Sequence, residues 1–339
     1  MQNKDLISSK EQNNTVNIGN LNINSKVIAA PLAGITDFVL RSLIREFSKD
    51  CLVTTEMISS EGLAQREICP ISYTNNQESP ISFQISGHKP LLMAKTAEKL
   101  TPKADIIDIN MGCPVNKIMK STDGCALMKS PQTAYDIVRA VKDSTDLPVT
   151  CKFRLGIKQE EINFVEFAVK MQKAGASAVT VHARTRVQMY SGAADWKKVS
   201  ALKGEIDIPY FINGDITSVE TAEKALESSL ADGVAIGRGI IGNPRLPYEI
   251  DTYLKTGKKT EPLTLEEKLN LLKKHLDMEI EFRGENTGIK FFRKFYPYYI
   301  RGVQEACDFR RRLVTEENYS EILNILDEIK NIENINFCH

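Results

Sequence analysis

The sequence predicts an α/β protein, a (β/α)8 TIM barrel followed by a small C-terminal helical domain. Runs rich in apolar and β-branched residues recur along the chain and are typical of buried strands. There are eight such runs, at 26–34, 51–57, 81–87, 105–112, 148–156, 178–184, 209–215 and 232–239. Segments with apolar residues at helical spacings separate them, and strand–helix alternation makes a parallel sheet. Eight strand–helix units favour a closed barrel.

An open, doubly wound sheet is the alternative architecture. Such a sheet usually has fewer strand–helix units and a glycine-rich phosphate loop directly after its first strand. Here the first strand leads into "APLAGITD", residues 30–37, which contains no G-x-G-x-x-G pattern. The closed barrel is therefore favoured.

Each predicted strand ends in residues that a plain apolar core would not select. In a barrel the carboxyl ends of the strands meet on one face, where barrel enzymes hold their active sites. In chain order these residues are Pro31, Leu32, Ala33 and Gly34, then Glu56, Gln84, Asn110 with Cys113, Lys152, His182, Asn213, Gly214 and Asp215, and Gly237 with Arg238. Because all eight ends share this property, we expect one common pocket with Cys113 at its rim.

Composition limits the class of protein. The chain has 339 residues, of which 42% are hydrophobic, enough for a sizeable core. Lys plus Arg and Asp plus Glu both total 44, so the net charge is zero and a general coat of positive charge is excluded. A local basic face remains open, because the sum does not describe the distribution.

The cysteines, histidines and terminal residues indicate the setting. The seven cysteines include no C-x-x-C pair, which favours free thiols in a reducing, cytoplasmic compartment. The chain shows neither a signal-peptide core nor a stretch long and apolar enough to span a membrane. The four histidines lack metal-ligand spacing, so we expect no metal. We expect a monomer with a flexible tail at 1–15, a barrel at 16–250 and a helical domain at 260–339.

The last two strands end in "NGD" and "GRG", which predict a phosphate site. Glycine lets backbone N–H groups approach a ligand closely, and Arg238 offers a bidentate fork for phosphate. The loops after strands seven and eight of a barrel are a common phosphate site. Two ordinary glycine turns are the alternative interpretation.

The strands between them predict the remainder of a cofactor site. Lys152 alternates with Cys151 and Phe153 along its strand, so it points away from them, into the barrel. Gln84 supplies donor and acceptor groups, and His182 shares a face with Lys152. A phosphate at one end with a lysine and an amide at the other favours flavin mononucleotide (FMN). Lys152 would stabilise negative charge on its reduced ring.

Basic and aromatic residues interleave after the barrel. Between residues 290 and 312 there are seven basic and two acidic residues, in a chain whose net charge is zero. Lys290, Arg293, Lys294 and Arg301 recur at helical spacings in this segment. An amphipathic helix with a solvated basic face is the alternative. A basic stripe beside a base-sized pocket nevertheless favours a track for RNA phosphates.

Six motifs in one order carry a resemblance to a known family. They are "APLAGITD", "DINMGCPVNK", "CKFRLG", "VHARTR", "FINGDI" and "GRGIIGNP". As a set they resemble the tRNA-dihydrouridine synthases of the bacterial B type, over about residues 17 to 315. Leu32 departs from the methionine frequent in the family, and Asp123 and Cys125 depart in the loop after Cys113.

The resemblance implies an activity, cofactors and a set of site residues. It implies a tightly bound FMN, NADPH as reductant, and reduction of the C5–C6 bond of specific uridines in tRNA. The residues expected to contact FMN are Pro31, Leu32, Ala33, Gln84, Lys152, His182, Asn213, Gly214, Asp215, Gly237 and Arg238. The residues expected to contact the substrate and its RNA are Asn110, Arg184, Lys290, Arg293, Lys294 and Arg301.

The same chemistry explains a cysteine at the end of the fourth strand. When reduced flavin delivers a hydride from N5 to C6 of uracil, a proton must reach C5 from the opposite face. A cysteine thiol has an ordinary pKa of about 8.5, so it is protonated at neutral pH yet gives up its proton readily. Cys113 is therefore the expected catalytic acid, and an inert buried thiol is the alternative. The uridine must leave its stack to reach such a site.

Other functions remain open from the sequence. A small-molecule flavin oxidoreductase of the dihydroorotate or dihydropyrimidine dehydrogenase kind would share the barrel and the phosphate site, but has no need of a basic tail. A non-catalytic RNA-binding protein would have no need of the residues at the strand ends. The motifs do not distinguish tRNA from ribosomal RNA.

Overall fold

The computed structural model describes residues 14–65, 70–115 and 122–336. Its strands, in chain order, are β1 (Val16–Ile18), β2 (Leu21–Ile23), β3 (Val27–Ala29), β4 (Leu52–Thr54), β5 (Ile58–Ser59), β6 (Ile81–Ser86), β7 (Ile106–Met111), β8 (Val149–Arg154), β9 (Ala178–His182), β10 (Tyr210–Asn213) and β11 (Gly233–Ile236). Parallel pairing runs from β3 through β4, β6, β7, β8, β9 and β10 to β11, and β11 pairs back with β3. The predicted eight-stranded closed barrel is confirmed, and the open sheet is excluded.

Helices follow the strands and cover the barrel. They are α1 (Phe38–Phe47), α2 (Ser60–Ala64), α3 (Pro90–Leu100), α4 (Pro131–Lys142), α5 (Phe164–Ala174), α6 (Trp196–Val199), α7 (Val219–Ser229) and α8 (Leu246–Thr256). Five more form the C-terminal helical region: α9 (Leu265–Arg283), α10 (Glu285–Phe292), α11 (Tyr296–Tyr299), α12 (Ala306–Thr315) and α13 (Tyr319–Asn336). Among the helices described, none has the length and apolar character needed to cross a membrane.

Capping side chains mark the starts of α1 and α9. The Asp37 carboxylate accepts from the Leu40 N–H at 3.1 Å and begins α1. Thr264 and Glu267 form a reciprocal capping box that begins α9. These caps satisfy N–H groups that the first helical turn leaves without partners.

Apolar side chains pack on the outer side of the barrel wall and also inside one end of the barrel. Cys151 and Phe153 of β8 point outward and are buried against the helices, whereas Lys152 lines the interior, as strand alternation predicts. The hairpin of β1 and β2 closes the end of the barrel at which the strands begin. Its residues Val16 and Ile18 pack against barrel residues such as Phe211. The interior is therefore open on one side.

The helical region docks on the open side. Its core of α9, α10, α11, α12 and α13 includes Leu43 from α1 and Ile241 from the loop after β11. Because that loop and α1 begin at the carboxyl ends of strands, the region stands beside the mouth of the barrel. It is placed to form one wall of a site there.

The boundaries differ slightly from expectation. Helix α8 packs on the barrel and ends at Thr256, beyond the expected boundary at 250. Asn14 is buried and its amide donates to the Asp251 carboxylate at 2.7 Å, so the chain is anchored from residue 14. The rest of the expected tail, residues 1–13, lies outside the described residues.

Candidate active site

A cavity of about 1050 Å³ lies where the barrel strands end, between the barrel and the helical region. Tyr298, Tyr299 and Arg301 of the helical region form part of its wall. The predicted site residues that line it are Pro31, Leu32, Ala33, Gln84, Asn110, Cys113, Lys152, His182, Asn213, Gly214, Asp215, Gly237, Arg238 and Arg301. The closed barrel thus brings residues from all parts of its sequence to one cavity.

A chain of hydrogen bonds crosses the wall of this cavity from β8 to the turn of Cys113. The Thr150 hydroxyl and the Gln84 amide donate to opposite oxygens of Asp108, at 2.6 and 2.7 Å. The Asn110 amide donates to the Gln84 carbonyl at 2.8 Å, and the Asn110 carbonyl accepts from the Cys113 N–H at 3.0 Å. The backbone of Cys113 is therefore tied to a strand residue of β7.

Two nitrogen bases share the interior of the barrel end. Burial, with Arg154 adding to it, lowers the pKa of Lys152 to about 8, while Asp108 and Cys113 oppose the shift. Burial also lowers the pKa of His182 well below its ordinary value, and the surrounding cations add to this shift. His182 is therefore neutral at physiological pH, and within the described part of the chain its buried Nδ1 atom has no hydrogen-bond partner.

Glycine geometry shapes the loop after β10. Gly214 has a φ of +119°, a conformation that favours glycine, and a Cβ there would lie 2.9 Å from the Ala194 side chain. Asp215 follows at a φ of +55°. Its carboxylate accepts from Arg184 at 2.5 Å and from Arg238 at 3.3 Å. The side chain of Asp215 therefore orients two arginines, one of which lines the cavity.

The structure corrects the expectation for Arg184. Its side chain is 2% exposed, ion-paired with Asp215, and donates to the carbonyls of Ser191 and Gly192. A guanidinium enclosed in this way does not reach RNA at the surface. Arg184 instead holds the loop after β9 against the loop after β10.

Tertiary contacts engage three of the four cations in the expected basic stripe. Lys290 and Arg293 both pair with Glu317, two residues before α13, at 3.6 and 3.0 Å. Lys294 is half-buried, with its ammonium 3.0 Å from the centroid of the Phe291 ring, and burial lowers its pKa. Of the four expected cations, Arg301 is the one that is exposed and lines the cavity.

Cys113 and Cys125 occupy different environments although they are close in space. Cys113 is partly exposed to the cavity, whereas Cys125 is fully buried. The Cys125 N–H donates to the Cys113 carbonyl at 3.2 Å, and burial raises the pKa of the Cys125 thiol to about 11. The second departure, Asp123, contacts His88 at 2.7 Å. Residues 116–121 between them lie outside the described residues.

Several lining residues were not expected from the sequence. Arg154 lies two residues after Lys152 on the same strand face, so alternation could have identified it. Its guanidinium donates to the Gly112 carbonyl at 2.9 Å and to the carbonyls of Thr185 and Met189. The Cζ atom of Arg238 lies 4.8 Å from the centroid of the Tyr190 ring, and no local sequence pattern indicates this contact. Lys268 of α9 lines the mouth.

In the three described segments, no group of three His, Cys, Asp or Glu side chains is arranged to hold a metal ion. The cations Lys152, Arg154 and Arg238 line the cavity together. This arrangement suits an anionic organic ligand.

Comparison with known proteins gives the family. Residues 27–336 match the family model described as dihydrouridine synthase. A probable tRNA-dihydrouridine synthase 1 of Synechocystis is 40% identical, over 92% of this chain and 88% of its own length. A tRNA-dihydrouridine synthase B of Shewanella oneidensis is 35% identical, over 92% and 98%. The corresponding enzyme B of Vibrio vulnificus is 37% identical, over 87% and 92%.

A solved structure supports the architecture. An old yellow enzyme homologue from Zymomonas mobilis superposes with a TM-score of 0.51, at 14% identity, over 74% of this chain and 94% of its own. At this identity the likeness concerns the fold, which is the closed barrel described above. The match to the family model and the relatives at 35–40% identity over most of the chain establish more. The chain belongs to the dihydrouridine synthase family.

Proposed function

We propose that this protein reduces the C5–C6 bond of specific uridines in tRNA, with bound FMN and with NADPH as reductant. The observation that carries the proposal is the placement of Cys113. Its turn stands on the wall of a cavity that also holds Lys152, His182, Gly214 and Arg238. The curated relatives are named tRNA-dihydrouridine synthases, which agrees with this substrate.

The lining residues fit FMN on two grounds. Lys152, Arg154 and Arg238 concentrate positive charge in one cavity, which suits a ligand with a phosphate group. The buried Nδ1 of His182 has no hydrogen-bond partner among the described residues, as expected of a polar atom whose partner is a bound ligand. Arg238 and the glycines after β10 and β11 would hold the phosphate. Gln84, Lys152 and His182 would hold the ring, with Pro31, Leu32 and Ala33 beside it.

The reaction adds one hydride and one proton across the uracil double bond. FMN held by these residues would supply, once reduced by NADPH, the hydride that C6 receives. Cys113 holds a thiol proton at the cavity wall and donates it to C5. Lys152 keeps a positive charge next to the ring site. Because its pKa is lowered to about 8, that charge is present at neutral pH and is lost as the pH rises through about 8.

The RNA would enter between the two parts of the molecule. Arg301 and Lys268 are exposed and line the cavity mouth on the helical region. Two cations at this position can contact backbone phosphates on either side of an extruded nucleotide. The flipped uridine then has a route from the helical region to the turn of Cys113.

An activity assay tests the proposal. Purified protein with FMN, NADPH and an unmodified tRNA transcript should form dihydrouridine, detected by mass spectrometry of the digested RNA. A ribosomal RNA fragment and free orotate or uracil serve as competing substrates. Turnover of a free pyrimidine without dihydrouridine in tRNA would favour the small-molecule oxidoreductase. Preferential modification of ribosomal RNA would change the substrate and leave the chemistry in place.

A further inference from the structure

Asp108 is a buried carboxylate for which the reaction above has no use. It lies on β7 with 6% of its surface exposed, and faces the interior of the barrel beneath the cavity. It pairs in register with Gln84 of β6 on one side and with Thr150 of β8 on the other. Burial raises its pKa, whereas the hydrogen bonds from Thr150 and Gln84 and the charge of Lys152 lower it.

The two amides above Asp108 each have a donor end and an acceptor end. Gln84 turns its NH2 group to Asp108 and its carbonyl to Asn110. Asn110 turns its NH2 group to Gln84 and its carbonyl to the N–H groups of Gly112 and Cys113, at 3.2 and 3.0 Å. Both oxygens of Asp108 act as acceptors, one for the Thr150 hydroxyl and one for the Gln84 NH2 group, so Asp108 determines which end of Gln84 faces it. The orientation of Gln84 in turn determines the orientation of Asn110.

If the two amide side chains turned over, the Cys113 N–H would lose the acceptor that holds it. If Gln84 turned over, its NH2 group would face the NH2 group of Asn110. Asn110 would then have to turn as well, and its NH2 group would meet the N–H groups of Gly112 and Cys113. Two donors facing each other in a buried place leave both without partners, which is costly. The acceptor that holds the turn exists only in the observed orientation.

We propose that Asp108 is a positioning residue, whose carboxylate sets the direction of the amide chain through Gln84 and Asn110 and so holds the turn of Cys113. The inference rests on the proposed role of Cys113 as proton donor. A displaced thiol delivers its proton less often, because transfer requires a short and aligned approach to the uracil. Asp108 itself need not touch the substrate.

The first test removes the acceptor. Asp108→Leu leaves the NH2 group of Gln84 without a partner and frees both amides to turn. In stopped-flow mixing of pre-reduced holoenzyme with unmodified tRNA, we expect flavin reoxidation to slow roughly 10–100-fold. Thr180→Val is the matched control, since Thr180 lines the same interior on β9 but lies outside the chain of hydrogen bonds. It should reoxidise at the wild-type rate.

The second test exchanges the amide of position 84 and the carboxylate of position 108 in two steps. Gln84→Glu sets a carboxylate against Asp108 and breaks the chain. Adding Asp108→Asn supplies an NH2 group that donates to the new carboxylate, whose other oxygen accepts from Asn110. Thr150 can still donate to the carbonyl of the new asparagine. The double variant should recover uridine reduction relative to Gln84→Glu, which a loss of packing alone would not do.

The third readout does not depend on turnover. Alkylation of Cys113 by iodoacetamide, followed by peptide mass spectrometry, reports whether the turn has opened. In Asp108→Leu and Gln84→Glu the rate should rise about threefold or more, as a local opening becomes more populated. It should return towards wild type in the double variant. The exposed Cys307 provides the internal reference.

The outcomes separate this inference from the proposed function. Wild-type reoxidation and alkylation in Asp108→Leu, an equal loss in Thr180→Val, or alkylation of Cys113 in the double variant as fast as in Gln84→Glu would each overturn the role of Asp108. A wild-type rate of uridine reduction in Cys113→Ala would instead overturn the role of Cys113. If Asp108→Leu does not fold, the comparison of Gln84→Glu with the double variant decides the question.

Discussion

Cys113 differs from the neighbouring Cys125 in what surrounds its sulfur. Both residues lie in the segment that follows β7, yet only Cys113 faces the cavity. The Cys113 N–H is held by Asn110, and the preceding carbonyl of Gly112 accepts from Arg154. The backbone around the thiol is therefore fixed on both sides. A fixed thiol at a cavity wall can act as an acid, whereas the buried Cys125 cannot meet a substrate.

Replacement of Cys113 should separate the two half-reactions. In Cys113→Ala, reduction of the flavin by NADPH should remain near normal, because it needs no proton donor on the substrate side. Reduction of uridine should fall roughly 10²–10⁴-fold, the usual contribution of a general acid. Stopped-flow measurement of each half-reaction checks this. Cys113→Ser should rescue poorly since a hydroxyl is a weaker acid, and Cys125→Ala should leave uridine reduction intact.

Arg238 should contribute to cofactor affinity. Its guanidinium lines the cavity, stacks over Tyr190 and is oriented by Asp215. Arg238→Ala should weaken FMN binding by about 1.5–3 kcal/mol, because it removes a charge-assisted contact. Fluorescence titration of the apoprotein with FMN measures the change. Arg139→Ala, an exposed arginine on α4, is the control, and equal affinity of both variants would contradict the phosphate assignment.

At the level of elements, α10 illustrates how a basic pattern can serve packing. Lys290 and Arg293 connect α10 to Glu317, before α13, and Lys294 covers the Phe291 ring. Such contacts join the helices of the C-terminal region to one another. The cations that remain at the cavity mouth come from α9 and from the turn after α11. The proposed RNA surface is therefore composed of residues from several elements.

The salt dependence of tRNA binding should identify that surface. Lys268→Ala with Arg301→Ala should weaken binding and lower the slope of log K against log salt by about one per lost phosphate contact. Filter binding at several salt concentrations measures the slope. Lys103→Ala with Lys203→Ala, exposed cations in loops that precede β7 and β10, is the matched control. A larger effect for Lys290→Ala with Arg293→Ala would restore the stripe first expected on α10.

At the scale of the whole molecule, the cavity depends on how the helical region docks. Leu43 of α1 is fully buried in the core of that region. Arg283 of α9 pairs with Asp37, the residue that caps α1, and donates to a carboxyl oxygen of Glu279 in its own helix. An apolar contact and the Arg283–Asp37 ion pair thus anchor the helical region to α1. Loss of this anchor would open one wall of the site.

Truncation of Leu43 should destabilise the docked state. Leu43→Ala leaves a cavity between α1 and the helical region and should cost about 2–5 kcal/mol of unfolding free energy. Urea unfolding followed by circular dichroism measures it. Leu91→Ala on α3 is the control, because Leu91 is 80% exposed and makes no buried contact to lose. Equal midpoints for the two variants would show that Leu43 does not carry the docking.

The interface should also respond to pH through Glu279. Burial raises the pKa of Glu279 to about 8, with Asp37 adding to the shift and Arg283 opposing it. An unfolded glutamate titrates near about 4.3, so between these values the folded chain holds a proton that the unfolded chain has released. This contribution is complete below the window and is lost as the pH rises through about 8.

Glu279→Gln should therefore flatten the pH dependence of stability. Thermal unfolding between about pH 5 and pH 9 should show the wild type losing stability relative to the variant as the pH rises. Glu281→Gln, which removes an exposed carboxyl group from the same helix, is the control. A constant difference between wild type and Glu279→Gln would mean that Glu279 is ionised throughout and acts as the partner of Arg283.

The sequence by itself determined the barrel, the family and many of the strand-end residues that line the cavity. Strand periodicity is local, and a parallel barrel must bring the ends of its strands to one face. Residues at those ends, such as Gln84, Lys152 and Arg238, could therefore be assigned to one pocket before any distance was known. The match of residues 27–336 to the dihydrouridine synthase model confirms the family indicated by the six motifs.

Only the tertiary structure decided which charges are available and which groups hold others in place. Arg184 and Lys294 are cations with good sequence patterns, yet Asp215 engages the first and the Phe291 ring covers the second. The hydrogen bonds that run from β8 through Asp108 to the turn of Cys113 join three strands, and no local sequence pattern indicates them. The physical reason is that a charge or an amide acquires its role from its partners. Partners distant in sequence meet only when the barrel closes and the helical region docks beside its mouth.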